Sequence, residues 1–142
     1  MSKAIFRAHF EQIWNNKDAS GIERFIAPNY RGFDAAELIS GIDGYKQHFL
    51  TITTAFPDMR ITIEVILEEA DRVAARWFVE ATHFGPFGDI PPTGRRVRVT
   101  GIAIVRISNR QIVEEQANSD TLGLLKQMGI TPESVKVPPF FF

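Results

Sequence analysis

The hydrophobic period of this chain changes from that of helices to that of strands between residues 55 and 61, and this change restricts the fold more than any other feature. Residues 3–16 and 41–55 place apolar side chains three and four positions apart, the spacing of amphipathic helices. From residue 61 to residue 119, apolar and polar residues alternate, which is the pattern of strands. Helices followed by a run of antiparallel strands predict an α+β domain with the helices on one face of the sheet.

Shorter signals divide the chain further. A second short helix begins after residue 20 and is expected to stop at Pro28. The glycines and prolines of residues 85–94 predict a long loop, and residues 108–110 predict a tight hairpin. A last helix over residues 121–128 ends at Gly129, a favourable C-cap.

No internal repeat or linker interrupts these elements. We therefore predict one domain over residues 1–130, followed by a C-terminal tail over residues 131–142. The tail ends in three phenylalanines. Because three exposed rings would be a liability in water, we expect them to pack over a pocket mouth or a subunit interface.

Composition excludes several classes of protein. The 12 Phe outnumber the two Trp and two Tyr, and such rings line cores and apolar pockets alike. A net charge of −1 offers no basic field to nucleic acid. With no cysteine there is no disulfide framework or thiol nucleophile. No segment reaches the ~18 apolar residues of a membrane span, so we expect no membrane association and a cytoplasmic location.

Asp120 is the main candidate for chemistry, and two interpretations of it are open. It directly precedes the last predicted helix, where Asp is a favoured N-cap. A carboxylate at the mouth of an apolar pocket is also suited to proton abstraction, because desolvation raises its basicity. His83 is similarly open: it can act as an acid or donor, or it can simply bond loop carbonyls.

Other polar residues give weaker signals. Arg76 and Arg106 lie in otherwise apolar strands, so each requires a carboxylate partner such as Glu114 or Asp120. The three histidines lack the spacing of metal ligands, so we expect no metal site. Both faces of the last two strands are apolar or small, and a partner subunit is one candidate cover for the second face.

Motifs in three parts of the chain occur together in one known family. They are TAFPD at residues 54–58, VAARW, THFG and PPTGRRV within residues 73–97, and RQIVEE followed by Asp120 within residues 110–129. In this combination the chain resembles the SnoaL-like polyketide cyclases, also called ester cyclases, of the nuclear-transport-factor-like superfamily. The resemblance covers residues 5–130.

This resemblance implies a cone-shaped fold, in which three N-terminal helices close a strongly curved, mostly antiparallel sheet around a pocket. It also implies a homodimer or a higher homo-oligomer, and an enzyme that uses no metal or organic cofactor. The aspartate matching Asp120 is the family's general base: it removes a proton from a polyketide, and the enolate closes a ring by aldol addition. His83 or Arg106 would steady the oxyanion.

The predicted substrate site takes a small, apolar, carbonyl-bearing molecule. Three of its positions depart from the family: Gln116 replaces a tryptophan, and Ile104 and Arg106 replace a glutamine and a histidine. Two alternatives are therefore open, a cofactor-independent polyketide hydroxylase and a non-catalytic binding or dimerisation module. The full set of predicted substrate-binding residues is Trp14, Phe33, Phe49, Trp77, Ile104, Arg106, Gln116 and Asn118.

Overall fold

The helices lie mainly in the first third of the chain, as the hydrophobic period predicts. The computed structural model describes residues 2–34 and 37–142. Helix α1 continues into a π-helical turn, in which the Asn16 amide donates to the Glu11 carbonyl five residues earlier. The helical elements are α1 (Ser2–His9), the π-helical turn (Phe10–Asn15), α2 (Gly21–Phe25), α3 (Gly41–Ala55), α4 (Thr121–Met128) and a short 3₁₀ turn (Pro132–Ser134).

The strands form a six-stranded sheet in the order β2-β1-β6-β5-β4-β3. The pair β1 and β6 is parallel, and the other neighbours are antiparallel. Irregularities in register interrupt β1, β3 and β6, and such bulges increase local bending. The strands are β1 (Ile26–Asp34), β2 (Glu37–Ser40), β3 (Arg60–Glu69), β4 (Arg72–Thr82), β5 (Arg96–Ser108) and β6 (Gln111–Ser119).

Most predicted boundaries agree with the structure. Asn109 and Arg110 both have positive φ, 51° and 64°, as a two-residue hairpin turn between right-handed strands requires. Gly129 closes α4 with a φ of 74°. The prediction for Pro28 is wrong: α2 ends at Phe25, and Pro28 lies within β1, which begins at Ile26.

On β5 the inner face carries small side chains, and the outer face carries larger ones. On β5 the buried positions include Gly101, Ala103 and Val105, whereas Ile102 and Ile104 are exposed. This corrects the prediction that Ile104 and Arg106 face the pocket. Both belong to the outer set of β5, whose inner set is small because bulky groups such as the Trp77 ring pack over it.

The core lies between the helices and the inner face of the sheet. The tail is part of it, since Phe140, Phe141 and Phe142 are all fully buried there. The rings therefore pack against protein as expected, but deeper than at a pocket mouth. Among the residues described above, no helix is long and apolar enough to cross a membrane.

Candidate functional site

Glu115 is a fully buried carboxyl group near the centre of the sheet. It lies on the inner face of β6, opposite Gly32 on one side and Val105 on the other. The Tyr30 hydroxyl donates to its Oε1 at 3.0 Å, and its Oε2 has no hydrogen-bond partner. An unpaired buried acceptor costs free energy, so Oε2 identifies a place where a proton or a ligand can be bound.

Tyr30 reaches Glu115 because β1 is irregular there and Gly32 has no side chain. The register of β1 against β6 shifts between Ile26 and Arg31. A Cβ at Gly32 would overlap the Tyr30 hydroxyl. The glycine therefore makes room for the hydroxyl that holds the Glu115 carboxyl in place.

Aromatic residues from the helices continue inward from Tyr30. The Tyr45 ring meets the Tyr30 ring edge-on, with centroids 5.2 Å apart. Trp14, on the π-helical turn, donates its indole N–H to the Tyr45 hydroxyl at 2.9 Å and contacts His48 edge-on. Phe49 packs against Trp14 at 5.4 Å. Single π-helical turns are frequent at functional sites, and this one presents Trp14 to the interior.

Trp77 bounds the interior on the sheet side. It lies over Gly101, its register partner on β5, where a Cβ would overlap the indole ring. The Trp77 indole N–H is buried and has no hydrogen-bond partner. We call the space bounded by these groups the aromatic chamber; its lining residues are Trp14, Tyr30, Tyr45, His48, Trp77 and Glu115.

The tail occupies the aromatic chamber. The ring of Phe142 lies between the two indoles, 5.0 Å from Trp14 and 5.1 Å from Trp77. The Phe141 ring stacks on His48 at 4.8 Å, and His48 Nε2 lies 2.7 Å from the Phe141 carbonyl oxygen. Because a carbonyl can only accept, His48 donates through Nε2.

Burial sets the protonation states of the titratable side chains that line the aromatic chamber. Removal from water raises the pKa of the Glu115 carboxyl from 4.5 to about 8, and the bond from Tyr30 limits that rise. Burial also lowers the pKa of His48 to about 4, so its ring is neutral near pH 7. The pKa values of Tyr30 and Tyr45 are raised well above 10, first by desolvation and then by the charge of Glu115.

Asp120 lies at the surface rather than in the chamber. Its side chain is exposed and caps α4, accepting the Gly123 amide at 2.9 Å. Of the two interpretations of this residue, the N-cap is confirmed. The expected position inside an apolar pocket is wrong, because the carboxylate follows the last residue of β6 and turns to the free amides of the helix. Its role as a base stays a prediction.

His83 is buried and bonded to the loop that it begins. The Thr93 amide donates to its Nδ1 at 3.2 Å, and the Thr93 hydroxyl lies 3.0 Å from the same atom. Its backbone binds Gly94 and Arg95, which closes the loop as a ring. Burial lowers the pKa of His83, and its Nε2 has no partner. The ring therefore bonds the loop, but through the amide and hydroxyl of Thr93 rather than through the loop carbonyls that the sequence suggested.

The remaining predicted residues fall into two groups. Trp14, Phe49 and Trp77 lie in the interior, as described above. Phe33, Gln116 and Asn118 instead meet at an open groove of about 300 Å³ on the sheet, away from the chamber's lining residues. Gln116 and Asn118 are exposed on the outer face, in register with Ile104 and Ile102.

The structure also corrects the prediction that Arg76 pairs with Glu114 or Asp120. Arg76 is exposed rather than buried, and its partner is Glu64 on β3, 3.5 Å away, instead of Glu114 or Asp120. Arg106 lies opposite Glu114 in the strand register on the outer face. Within residues 2–34 and 37–142, no group of three His, Asp or Glu side chains is arranged to hold a metal ion.

Sequence reasoning missed Glu115, Tyr30, Tyr45 and His48 as site residues. Glu115 shares its strand parity with Ala117, and a carboxyl among small residues on one face was the available signal. The helical spacing of Tyr45, His48 and Phe49 indicated that they share one face of α3. Nothing local linked these residues to Tyr30, which is 85 positions from Glu115 in sequence.

The sequence and the fold agree with a known family. The chain belongs to the SnoaL-like polyketide cyclase family, because its sequence matches that family over residues 4–128. The cone of helices on a curled, mostly antiparallel sheet is the fold of its structural relatives. A comparison with curated protein sequences gave no match.

Three solved structures illustrate the relationship. AclR from Streptomyces galilaeus, a candidate hydroxylase, is 31% identical, with a TM-score of 0.80 over 96% of this chain and 84% of AclR. IdmH from Streptomyces antibioticus, a candidate polyketide cyclase, is 26% identical, with a TM-score of 0.77 over 92% and 99% of the two chains. A candidate SnoaL-like polyketide cyclase from Jannaschia sp. CCS1 is 20% identical, with a TM-score of 0.84 over 92% and 93%, and shows the fold alone.

Proposed function

We propose that this protein is a small-molecule enzyme that performs acid/base chemistry on an apolar, carbonyl-bearing, polyketide-like substrate in the aromatic chamber. The observation that carries the proposal is Glu115, a carboxyl with one unpartnered oxygen enclosed by aromatic side chains. A titratable group inside an apolar chamber suits an enzyme better than a binding module, since the latter needs no such costly group.

The reaction would be proton abstraction followed by aldol-type cyclisation. With a pKa of about 8, roughly one tenth of Glu115 is ionised at pH 7, and that fraction is a stronger base than an ordinary carboxylate. It takes a proton from a carbon beside a carbonyl, and the C–H electron pair moves onto the carbonyl oxygen as an enolate. The enolate carbon then attacks a second carbonyl of the same molecule, and the resulting alkoxide regains the proton from Glu115.

Two donors in the chamber are available to the developing oxyanions. The Tyr45 hydroxyl accepts from Trp14 and keeps its own proton to donate. The Trp77 indole N–H is a donor with no partner. Donors held in a water-excluded site stabilise developing charge more strongly than water does, because they need no reorganisation.

Asp120 is the alternative base, as the family resemblance implies. Its carboxylate would have to leave the Gly123 amide and enter the chamber to act on a substrate there. The two carboxylates can be compared with matched substitutions, Glu115→Gln and Asp120→Asn, each of which replaces a carboxyl by an amide of the same shape.

The test is deuterium exchange at the carbon beside the carbonyl of α-tetralone, a bicyclic aryl ketone, followed by proton NMR in D₂O. We expect the protein to accelerate exchange, with a rate that rises with pH up to about 8. Glu115→Gln should lower the rate by about 100-fold or more, and Asp120→Asn should change it little, since Asn is also a good cap. The opposite ranking would assign the base to Asp120, and no exchange by the parent protein would contradict the proposal.

A second candidate function is cofactor-independent hydroxylation of a similar polyketide. The observation in its favour is the 31% identity to AclR, a candidate hydroxylase, over nearly the whole chain. This function requires molecular oxygen and a reduced aromatic substrate. Oxygen uptake with a hydroquinone-type aromatic, measured with an oxygen electrode, separates it from the acid/base reaction, which consumes no oxygen.

We also propose that the protein is a cytoplasmic homodimer joined through the outer face of the sheet. Val65, Leu67, Ile102 and Ile104 are all exposed on β3 and β5, and Leu67 reaches 63% exposure. These side chains form an apolar patch among the polar groups of the outer face, and a second copy of the chain can cover such a patch. If the chamber is catalytically silent while this face dimerises, the protein is instead a dimerisation module.

A further inference from the structure

The tail is held in the aromatic chamber by a small number of specific contacts. The Phe140 amide donates to Asp34 Oδ2 at 2.9 Å, and its ring meets Phe56 and Phe87 edge-on. The Phe141 carbonyl accepts from His48, and the Phe142 ring fills the gap between two indoles. Upstream of these three residues, residues 131–133 and 135–139 are exposed or half-buried, and the tail has no helix or strand beyond the 3₁₀ turn.

The tail leaves some hydrogen-bonding groups of the aromatic chamber without partners. With the phenylalanines in place, Glu115 Oε2 and Trp77 Nε1 are buried without hydrogen-bond partners. Segments that belong permanently to a core normally leave very few such groups unpaired. The tail therefore fills the apolar volume of the chamber but does not serve its polar groups, which is what a substitute occupant would do.

The tail also shows what a better occupant needs. It places flat rings against His48 and between Trp14 and Trp77, and it offers one carbonyl to the His48 N–H. A flat aromatic ketone can reproduce both features. Further oxygen atoms on such a molecule would pair with the indole N–H of Trp77 or with Glu115, which the tail leaves unpaired.

We propose that residues 137–142 are a displaceable occupant of the aromatic chamber, and that an aromatic ketone displaces them by binding the same surfaces and the His48 N–H. The proposal rests on the proposed function only in taking the chamber as the ligand site. The tail then acts as a built-in competitor. If it is seated about 99% of the time, it lowers the apparent affinity for the ligand about 100-fold.

The test uses the full chain and prodan, a fluorescent naphthyl ketone whose emission reports an apolar environment. Binding is compared in the parent protein, in the double variant Phe140→Ala with Phe142→Ala, and in Asp34→Ala, which removes one anchor of the tail but no lining residue. Phe84→Ala is the matched control, because Phe84 is 60% exposed and lies outside the chamber. Circular dichroism checks that each variant is folded.

We expect both tail variants to bind prodan at least about tenfold more tightly than the parent, and Phe84→Ala to match the parent. In the parent, saturating prodan should increase hydrogen exchange at the Phe140 amide, while the amides of β5 keep their protection. The two tryptophans, both in contact with Phe142, should change their emission at the same ligand concentration.

Prodan binding to the parent with unchanged protection of the Phe140 amide would overturn the proposal, as would folded tail variants that bind no more tightly than the parent. The exchange measurement on the parent decides the matter if a tail variant does not fold. None of these readouts requires turnover. A failure of the displaceable tail is therefore distinct from a failure of the acid/base function, which the Glu115→Gln exchange assay measures separately.

Discussion

The buried carboxyl of Glu115 predicts that this protein loses stability as the pH rises above neutrality. In the unfolded chain, Glu115 titrates at its ordinary pKa of 4.5, whereas in the folded protein its pKa is about 8. Between these values the folded state holds one more proton than the unfolded state. Stability therefore falls with rising pH by about 1.4 kcal/mol per pH unit, to a total of about 5 kcal/mol. Set against a typical stability of about 5–15 kcal/mol, this is a large effect.

The buried histidines also make stability depend on pH, in the opposite direction to Glu115. Burial lowers the pKa of both His9 and His48 to about 4, and it also lowers that of His83. For these groups the unfolded state binds more protons below about pH 6.5, so their contribution to stability is lost as the pH falls. Between about pH 6.5 and about pH 8.5 the Glu115 effect amounts to about 2 kcal/mol, and the three histidines oppose it by about 1 kcal/mol in total, because each still binds part of a proton in the unfolded chain at pH 6.5.

The measurement is urea unfolding, followed by circular dichroism, at several pH values across this range. Across this range we expect the free energy of unfolding of the parent to fall by about 2 kcal/mol relative to that of Glu115→Gln. The difference between the two proteins removes the contribution of all other titrating groups. A Glu115→Gln variant whose stability depends on pH in the same way as that of the parent would refute the burial of an uncharged Glu115.

Three further predictions concern single positions. Asp120→Ala should cost about 1 kcal/mol in thermal unfolding through loss of the α4 cap, and Asp120→Asn should cost much less; equal losses would show that charge, not capping, matters. Gly101→Ala forces a Cβ into the Trp77 ring and should lower stability by about 1–3 kcal/mol in urea; an unchanged midpoint would contradict that packing. Ile104→Glu should turn a dimer into a monomer in analytical ultracentrifugation, whereas a parent that is already monomeric would exclude the outer-face dimer.

Features that depend on neighbours in sequence were predictable. The helix over residues 41–55 and the alternating strands follow from periodicity, because each residue's side of its element is set by local geometry. Gly129 and the hairpin at Asn109 and Arg110 follow from the backbone conformations that such turns need. The cap by Asp120 is of the same kind, since a residue and the amide it binds are three positions apart.

Which face of the sheet points inward could not be predicted from the same pattern. Parity separated Glu115 and Ala117 from Gln116 and Asn118, but it did not say which set faces inward, and the family resemblance placed Ile104 in the pocket. In the structure the smaller residues of β5 face inward, because the Trp77 ring lies over Gly101 and leaves no room there for a side chain. The size of the side chains that fit on the inner face depends on which residues from elsewhere in the chain pack against it. The sequence of a single strand does not contain that information.

The sequence by itself determined the order of elements, the turns, the helix cap and the family to which the chain belongs. Only the tertiary structure decided where the chemistry lies. It brought Tyr30 to Glu115 across 85 positions and seated Phe141 on His48 across 93. Contacts over such separations are set by how distant segments pack together, and packing is also what removes the Glu115 carboxyl from water and raises its pKa.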